Sequence, residues 1–159
     1  MSVLRRLLST LIDSGERYQL EGGVGKTIRE LAMEARFGSI DAWARMVIAH
    51  NDRPLTEEQS ITDMALLKGG SHERITHPLM AMEALKFHRP IHADAVRFAR
   101  KYHYLTREGP VAFLHEPSQD PFGLRCVLVL SWDYFNGLQL TADYIGRRWE
   151  STVRFAARP

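Results

Sequence analysis

The C-terminal stretch 137–159 carries the residues whose types and spacing point most clearly to binding chemistry. Thr141 is suited to begin one helix and Ser151 to begin a second, with a short break between the two helices. This pattern predicts a helix-turn-helix-like pair whose rim arginines contact the phosphates of DNA. The predicted DNA-binding residues are Arg147, Arg148, Ser151, Thr152, Arg154 and Arg158. An amphipathic helical hairpin whose arginines are only solvated explains the same pattern, and that alternative stays open.

A second motif, GGVGKT at residues 22–27, has the glycines and lysine of a phosphate-binding loop. Such a loop must follow a buried parallel strand, so that its backbone N–H groups point at the phosphates. The preceding stretch SGERYQLE is polar, and Leu20 stands where the full loop spacing requires its first glycine. The sequence therefore favours a glycine turn before a capped helix, without nucleotide hydrolysis.

The histidines raise the question of a metal or catalytic site, because most of them lie between His72 and His115. His88 and His92 have the spacing that brings two imidazoles together on a helix, but Pro90 would interrupt that helix. No complete ligand set or nucleophile motif is recognisable in the sequence. We therefore predict a protein that is not an enzyme and has no metal or cofactor, while a role for the histidines stays open.

Composition limits the class of protein. The chain has 159 residues with 45% hydrophobic content, which is enough for the core of one domain. The formal net charge is only +2, so any attraction to nucleic acid must be local. The single cysteine, Cys126, lies in the apolar run CVLVL, which predicts a buried residue and a reducing, cytoplasmic setting. No apolar run has the length of a membrane span.

The spacing of apolar residues predicts a mainly α-helical single domain over residues 1–159. We expect N-terminal helices over 1–70, central helices and a loop over 71–136, and the helix-turn-helix-like end over 137–159. Within these parts the predicted helices cover residues 1–12, 27–36, 39–50, 56–68, 76–88 and 90–105, and an ordered loop covers 107–123. The stretch 124–135 fits a buried strand or a buried helix, and its helical neighbours favour the helix.

From Val127 onward, the sequence VLVLSWDYFNGLQLTADYIGRRWESTVR resembles the end of bacteriophage late-gene antiterminators. The shared pattern is an apolar helix ending in an aromatic residue, then a glycine, a helix, a short turn and a basic second helix. The stretches ITDMALL and EALKFHRPIHADAVRFARKYHYL are similar to the helices that precede that module. The resemblance implies a phage or mobile-element transcription regulator that binds DNA and acts with RNA polymerase. By position, it assigns DNA contact to Arg147, Arg148, Ser151, Thr152 and Arg154.

The alternative function is a non-enzymatic inhibitor or adaptor that binds a host protein. It is favoured by aromatic residues of the kind that anchor interfaces, namely Trp132, Tyr134, Tyr144 and Trp149. Packing in the core explains the same residues. In the DNA-binding mechanism, the N-terminal amphipathic helix would form a homodimer or bind another protein partner.

Overall fold

The central element of the protein is a mixed β-sheet, seen in a computed structural model that describes residues 11–70 and 75–159. Within these ranges the strands are β1 (Leu11–Glu21), β2 (Ser39–Ile40), β3 (Ile61–Gly69), β4 (Val111–Phe113), β5 (Ser118–Gln119), β6 (Arg125–Asp133), β7 (Gly137–Tyr144) and β8 (Arg154–Ala157). They lie in the order β1-β3-β8-β4-β6-β7-β2, and β5 pairs with β6. The β8–β4 and β7–β2 pairs are parallel, and the other pairs are antiparallel.

Helices cover the two faces of this sheet unequally. In the described ranges they are α1 (Ile28–Ala35), α2 (Ala42–His50), α3 (Pro78–Ala84) and α4 (His92–Tyr102). The larger apolar cluster joins α1, α2 and α4 to one face of the sheet. The smaller cluster lies on the other face, where α3 and the connection 145–153 supply Met82 and Trp149. The sheet is therefore the middle layer of three.

Strands in the middle of the sheet are buried on both faces, and this burial explains their continuous apolar sequences. In β6, Cys126, Leu128 and Leu130 belong to the larger cluster. Val127 and Val129, which alternate with them, belong to the smaller cluster. Because successive side chains of a strand point to opposite faces, a strand between two layers needs apolar residues at every position.

A buried ion-pair cluster connects α4 to the residue after β8. The carboxylate of Asp94 is fully buried and lies 3.2 Å from an amino group of Arg97 and 2.9 Å from one of Arg158. Arg97 also donates to the carbonyls of Gly22 and Ser60, at 3.2 and 3.0 Å. Removal of one partner from such a cluster leaves buried charge uncompensated, so the loss of any one of these side chains should destabilise the fold.

The prediction of a mainly α-helical architecture is wrong, because the described residues form a mixed α/β fold around one large sheet. Residues 56–68, predicted as a helix, contain a short 3₁₀ turn (Glu57–Gln59) followed by β3. Residues 124–135 contain β6, so the strand alternative was the correct one. The predicted loop 107–123 contains β4 and β5. Each of these stretches contributes apolar residues to both apolar clusters, one on each face of the sheet.

The predicted helix-turn-helix-like end is also wrong. Residues 137–144 form β7, residues 154–157 form β8, and residues 145–153 connect the two strands. In β7 the buried residues Leu138, Leu140 and Ala142 alternate with partly exposed ones, which is the period of a strand packed on one face. Trp149 is buried in the connection and packs edge-on against Phe155, with 5.6 Å between ring centroids.

Several local predictions are confirmed. Thr27 and Glu30 form the predicted capping box at the start of α1, and Pro78 lies in the first turn of α3. Cys126 is buried and free. The helix predicted from Ser39 exists, but it begins later, because Asp41 caps α2 while Ser39 lies in β2. The predicted first helix lies mostly outside the described residues, and its last two positions, Leu11 and Ile12, begin β1.

Candidate functional site

The six residues predicted to contact DNA do not lie on a pair of helices. Arg147, Arg148, Ser151 and Thr152 belong to the connection between β7 and β8. Arg154 begins β8, and Arg158 follows its last residue. Two of the four arginines bind other residues of the protein, and the other two lie on the surface.

The side chains of Arg154 and Arg158 bind other residues of the protein. Arg154 donates to the carbonyls of Leu105 and Gly109 and forms an ion pair with Glu108 at 3.3 Å. Arg158 binds the buried carboxylate of Asp94 through two nitrogens, at 3.0 and 2.9 Å. Both guanidinium groups therefore fix the C-terminal strand to neighbouring elements.

Arg147 and Arg148 are exposed. Arg147 forms an ion pair with Asp143 at 3.0 Å and lies over the ring of Trp149, 5.1 Å from its centroid. Together with Thr152, it borders a shallow depression of about 210 Å³ on the face of the sheet opposite α1 and α2. The carboxylate of Asp143 in this depression neutralises part of the charge that would attract a phosphate.

The GGVGKT loop follows β1, which is an antiparallel edge strand and not the buried parallel strand that a phosphate-binding loop requires. Two N–H groups of the loop donate to carbonyls of the protein itself. Gly25 donates to the carbonyl of Leu55 at 2.8 Å, and Lys26 donates to that of Gly23 at 2.9 Å. At the start of α1, the N–H of Arg29 donates to the carboxylate of Asp52 at 3.0 Å. A carboxylate thus lies where a nucleotide-binding loop would hold a phosphate.

Two of the histidines form a buried pair. The rings of His92 and His115 lie 3.9 Å apart between centroids, and His115 is fully buried. The N–H of Leu128 donates to Nε2 of His115 at 3.0 Å, so the proton of the neutral ring is on Nδ1, which donates to the carbonyl of Glu116. Burial and the adjacent His92 lower the pKa of His115 to about 3. Burial also lowers the pKa of His92, whose Nε2 lies 3.3 Å from the hydroxyl of Ser118.

These contacts give the histidine pair a structural role, because they fix β5 and β6 to the start of α4. In the residues that the structure describes, no group of three or more His, Cys, Asp and Glu side chains could hold a metal ion. No described helix is long and apolar enough to cross a membrane.

The clearest concave surface with surplus charge is a groove between α1, α2 and β2, here called the arginine groove. It has a volume of about 390 Å³, and its lining residues are Arg29, Ala32, Met33, Arg36, Phe37, Ile40, Arg45 and Ile48. The lining combines guanidinium groups with apolar side chains. The arginine groove is therefore suited to an anion with a flat apolar body.

The three arginines of the groove retain most of their hydrogen-bonding capacity. Arg36 makes no ion pair or side-chain hydrogen bond with any described residue. Arg45 uses only its Nε, which donates to the carbonyl of Ile40 at 3.1 Å. The contact of Arg29 with Asp52, at 3.9 Å, is at the outer limit of an ion pair. Positive charge at the groove is thus in excess of its carboxylates.

Next to the groove lies the tip of the β6–β7 turn, here called the aromatic hairpin (residues 132–137). Tyr134 and Phe135 are 90% and 89% exposed, and their rings contact each other edge-on at 5.4 Å. Asp133 holds the turn in shape, because it accepts hydrogen bonds from the N–H of Phe135 at 2.8 Å and from the side chain of Gln139 at 3.2 Å. The hydrogen bond from Phe135 holds the pKa of Asp133 below its usual value. Two large rings are therefore presented to solvent on a fixed turn.

The first residue of the hairpin, Trp132, adds a third aromatic ring. The guanidinium of Arg107 lies over the ring of Trp132, 4.4 Å from its centroid. Trp132 pairs with Leu138 across β6 and β7, and Leu138 belongs to the cluster under α1 and α2. The stacked pair thus lies on the same face of the sheet as the arginine groove.

Gly38 joins the groove to the hairpin. Its N–H donates to the carbonyl of Leu138 at 2.7 Å. A Cβ at this position would lie 1.6 Å from the carbonyl oxygen of Asn136, so only glycine permits the contact. Since Arg36 and Phe37 immediately precede Gly38, one end of the groove lining lies against the hairpin, and we call the groove and the hairpin together the arginine–aromatic surface.

The sequence contained a partial signal for this surface. Arg29 and Arg36 are seven residues apart in the predicted helix 27–36, so the helical period predicts them on one side, although in the structure Arg36 is the C-cap that follows α1. Tyr134 was noted as an interface residue, but Phe135 and Arg45 were not. Their proximity depends on the parallel pairing of β2 with β7, which a predicted α-helical fold does not contain.

Comparisons with protein families, curated proteins and solved structures found no match to this chain. The antiterminator resemblance therefore stays a prediction.

Proposed function

We propose that the protein is a non-enzymatic nucleic-acid-binding protein that uses the arginine–aromatic surface and prefers single strands. The observation that carries the proposal is the junction of a groove containing three arginines with two almost fully exposed aromatic rings. Arginine forks match phosphate oxygens, and bases stack on aromatic rings. The setting in transcription regulation is what the antiterminator resemblance implies.

The preference for single strands follows from the aromatic side chains. Bases in a duplex are stacked and paired, so Tyr134 and Phe135 can stack only on bases that are free. Arginines alone would bind the phosphates of either form. If the three groove arginines each neutralise a phosphate, the logarithm of affinity for a single strand falls with the logarithm of salt concentration with a slope of roughly −2.

The test compares charge-matched variants in fluorescence anisotropy titrations with labelled single-stranded and duplex DNA of one sequence. We expect Arg36→Ala/Arg45→Ala to weaken single-strand binding at least about tenfold, because each guanidinium contact with a phosphate is a charged hydrogen bond. The control is Lys68→Ala/Arg125→Ala, which removes the same charge from two exposed positions elsewhere. Equal losses in the two variants would show a general charge effect and contradict the proposed surface.

A protein-binding adaptor is the second candidate function. It is favoured by the exposure of Tyr134 and Phe135, since aromatic residues and arginine dominate interface energetics. If neither form of DNA binds at low salt, the nucleic-acid proposal fails and the adaptor function is favoured.

A further inference from the structure

We propose that the arginine groove holds one unstacked nucleotide of a bound single strand, with its base on the apolar floor and its phosphate between the arginines. This inference rests on the proposed function and assigns a ligand to one part of the surface. The volume of about 390 Å³ lies within the range of small-molecule sites, which begins at about 300 Å³.

The floor of the groove fits a flat, weakly polar group. It consists of Ala32, Phe37, Ile40 and Ile48, with Met33 at the rim. Met33 is 76% exposed, so its thioether is free to lie against a ring that enters the groove. A phosphate or sugar alone would leave this apolar floor in contact with water, whereas a base covers it.

The rim of the groove fits an anion. The carboxylates of Asp52 and Asp41 bind helix starts, since Asp52 accepts from the N–H of Arg29 and Asp41 accepts from that of Ala44 at 2.7 Å. No described carboxylate forms an ion pair with Arg36 or Arg45, so a phosphate would not have to displace one from either guanidinium group. Their planar forks suit two phosphate oxygens at once.

The position of the aromatic hairpin sets the path of the strand. Gly38 contacts the hairpin and lies two residues after Arg36, so the next base along the strand meets Tyr134 or Phe135. A nucleotide can enter the groove only when its base is unpaired and unstacked. The groove thus explains a preference for single strands independently of the hairpin.

The experiment is an NMR titration of the protein with adenosine 5′-monophosphate, ribose 5-phosphate and adenosine. We expect the monophosphate to shift the amide signals of Met33, Arg36, Phe37 and Arg45. Ribose 5-phosphate lacks the base and adenosine lacks the phosphate, so each should bind at least about tenfold more weakly. Met33→Glu places a negative charge at the rim and should weaken binding of the monophosphate about tenfold.

The matched control is Met80→Glu, which makes the same change at an exposed methionine of α3, on the other side of the sheet. It should leave the titration unchanged. Equal binding of ribose 5-phosphate and the monophosphate, or equal effects of the two glutamates, would overturn the inference.

A second arm separates this inference from the proposed function. Anisotropy is measured with a labelled single-stranded DNA and with a strand of the same length that lacks bases. If the strand with bases binds more tightly and Met33→Glu leaves its affinity unchanged, the proposed function stands and the nucleotide site in the groove is overturned. If neither strand binds, the proposed function itself fails.

Discussion

At the residue scale, the buried histidine pair makes the stability of the protein sensitive to acid. The ring of His115 has both nitrogens in hydrogen bonds that require its neutral form. Protonation would give Nε2 a proton that faces the N–H of Leu128, and would place a charge beside His92 at a fully buried position. The native state therefore binds a proton at His115 only well below the pH at which an unfolded histidine does so.

The sign of the pH dependence follows from this shift. The pKa of His115 is lowered from 6.5 to about 3, so the unfolded chain takes up protons first as the pH falls. Above pH 6.5, His115 does not reduce the free energy of unfolding. Between pH 6.5 and 3, protonation of His115 in the unfolded chain lowers this free energy by up to about 1.4 kcal/mol per pH unit. Urea unfolding at a series of pH values measures this slope. His115→Gln should show a lower stability at neutral pH and a shallower slope.

The control for this prediction is His50→Gln, which changes an exposed histidine at the end of α2. It should leave the slope of the wild-type protein unchanged. A His115→Gln variant with the wild-type slope would mean that other groups cause the acid sensitivity.

The predicted DNA-binding arginines show what residue type alone can indicate. A guanidinium suits a phosphate, but it equally suits a buried carboxylate or a set of carbonyl oxygens. Arg158 is used for Asp94, and Arg154 for the carbonyls of Leu105 and Gly109. The sequence could not distinguish these uses, because each partner lies about forty or more positions away in the chain.

At the element scale, substitutions in the aromatic hairpin should change binding without changing the stability of the fold. Tyr134 and Phe135 are exposed, so their truncation removes almost no packing from the fold. Base stacking on an aromatic side chain contributes about 1–3 kcal/mol per base. We expect Tyr134→Ala and Phe135→Ala each to weaken single-strand binding about tenfold while the urea unfolding midpoint stays unchanged.

Phe122→Ala is the matched control for the hairpin variants. Phe122 is 83% exposed in the connection between β5 and β6, and it lies outside the arginine–aromatic surface. It should change neither affinity nor stability. Losses of similar size at Phe122 and Phe135 would contradict a specific role for the hairpin.

The same scale explains which elements could be predicted from the sequence. The helices α1, α3 and α4 carry local signals, such as the Thr27 capping box and Pro78 in a first turn. Strand β7 carried one as well, since its apolar and polar residues alternate strictly in LQLTAD. A helix beginning at Thr141 was predicted there instead, because Thr141 resembles a helix cap. The strands β3 and β6 are apolar on both faces, so periodicity could not separate them from buried helices.

At the scale of the whole molecule, the last strand in the chain lies in the middle of the sheet. Strand β8 pairs with β3 on one side and with β4 on the other. Phe155, Ala156 and Ala157 are completely buried, and they contribute to the apolar clusters on both faces. A C-terminal module that binds DNA could be removed without loss of the remaining fold, whereas a central strand cannot.

Truncation of the chain after Thr152 tests this arrangement. Without β8, the edges of β3 and β4 lose their hydrogen-bond partners, and the two halves of the sheet separate. The loss of Arg158 also leaves Asp94 with one fewer cation in a buried site, which is strongly destabilising. We expect the truncated chain to lose cooperative urea unfolding and the dispersed amide spectrum of a folded protein.

A chain that lacks only Pro159 is the control, because this residue is exposed and follows the last ion-paired residue, Arg158. It should unfold as the whole chain does. If the chain ending at Thr152 kept cooperative unfolding with the same midpoint, β8 would be dispensable for the sheet. The arginine groove would then not depend on the C-terminal strand. Joint loss of cooperative unfolding and of oligonucleotide binding is the outcome expected when one sheet, completed by β8, supports the whole arginine–aromatic surface.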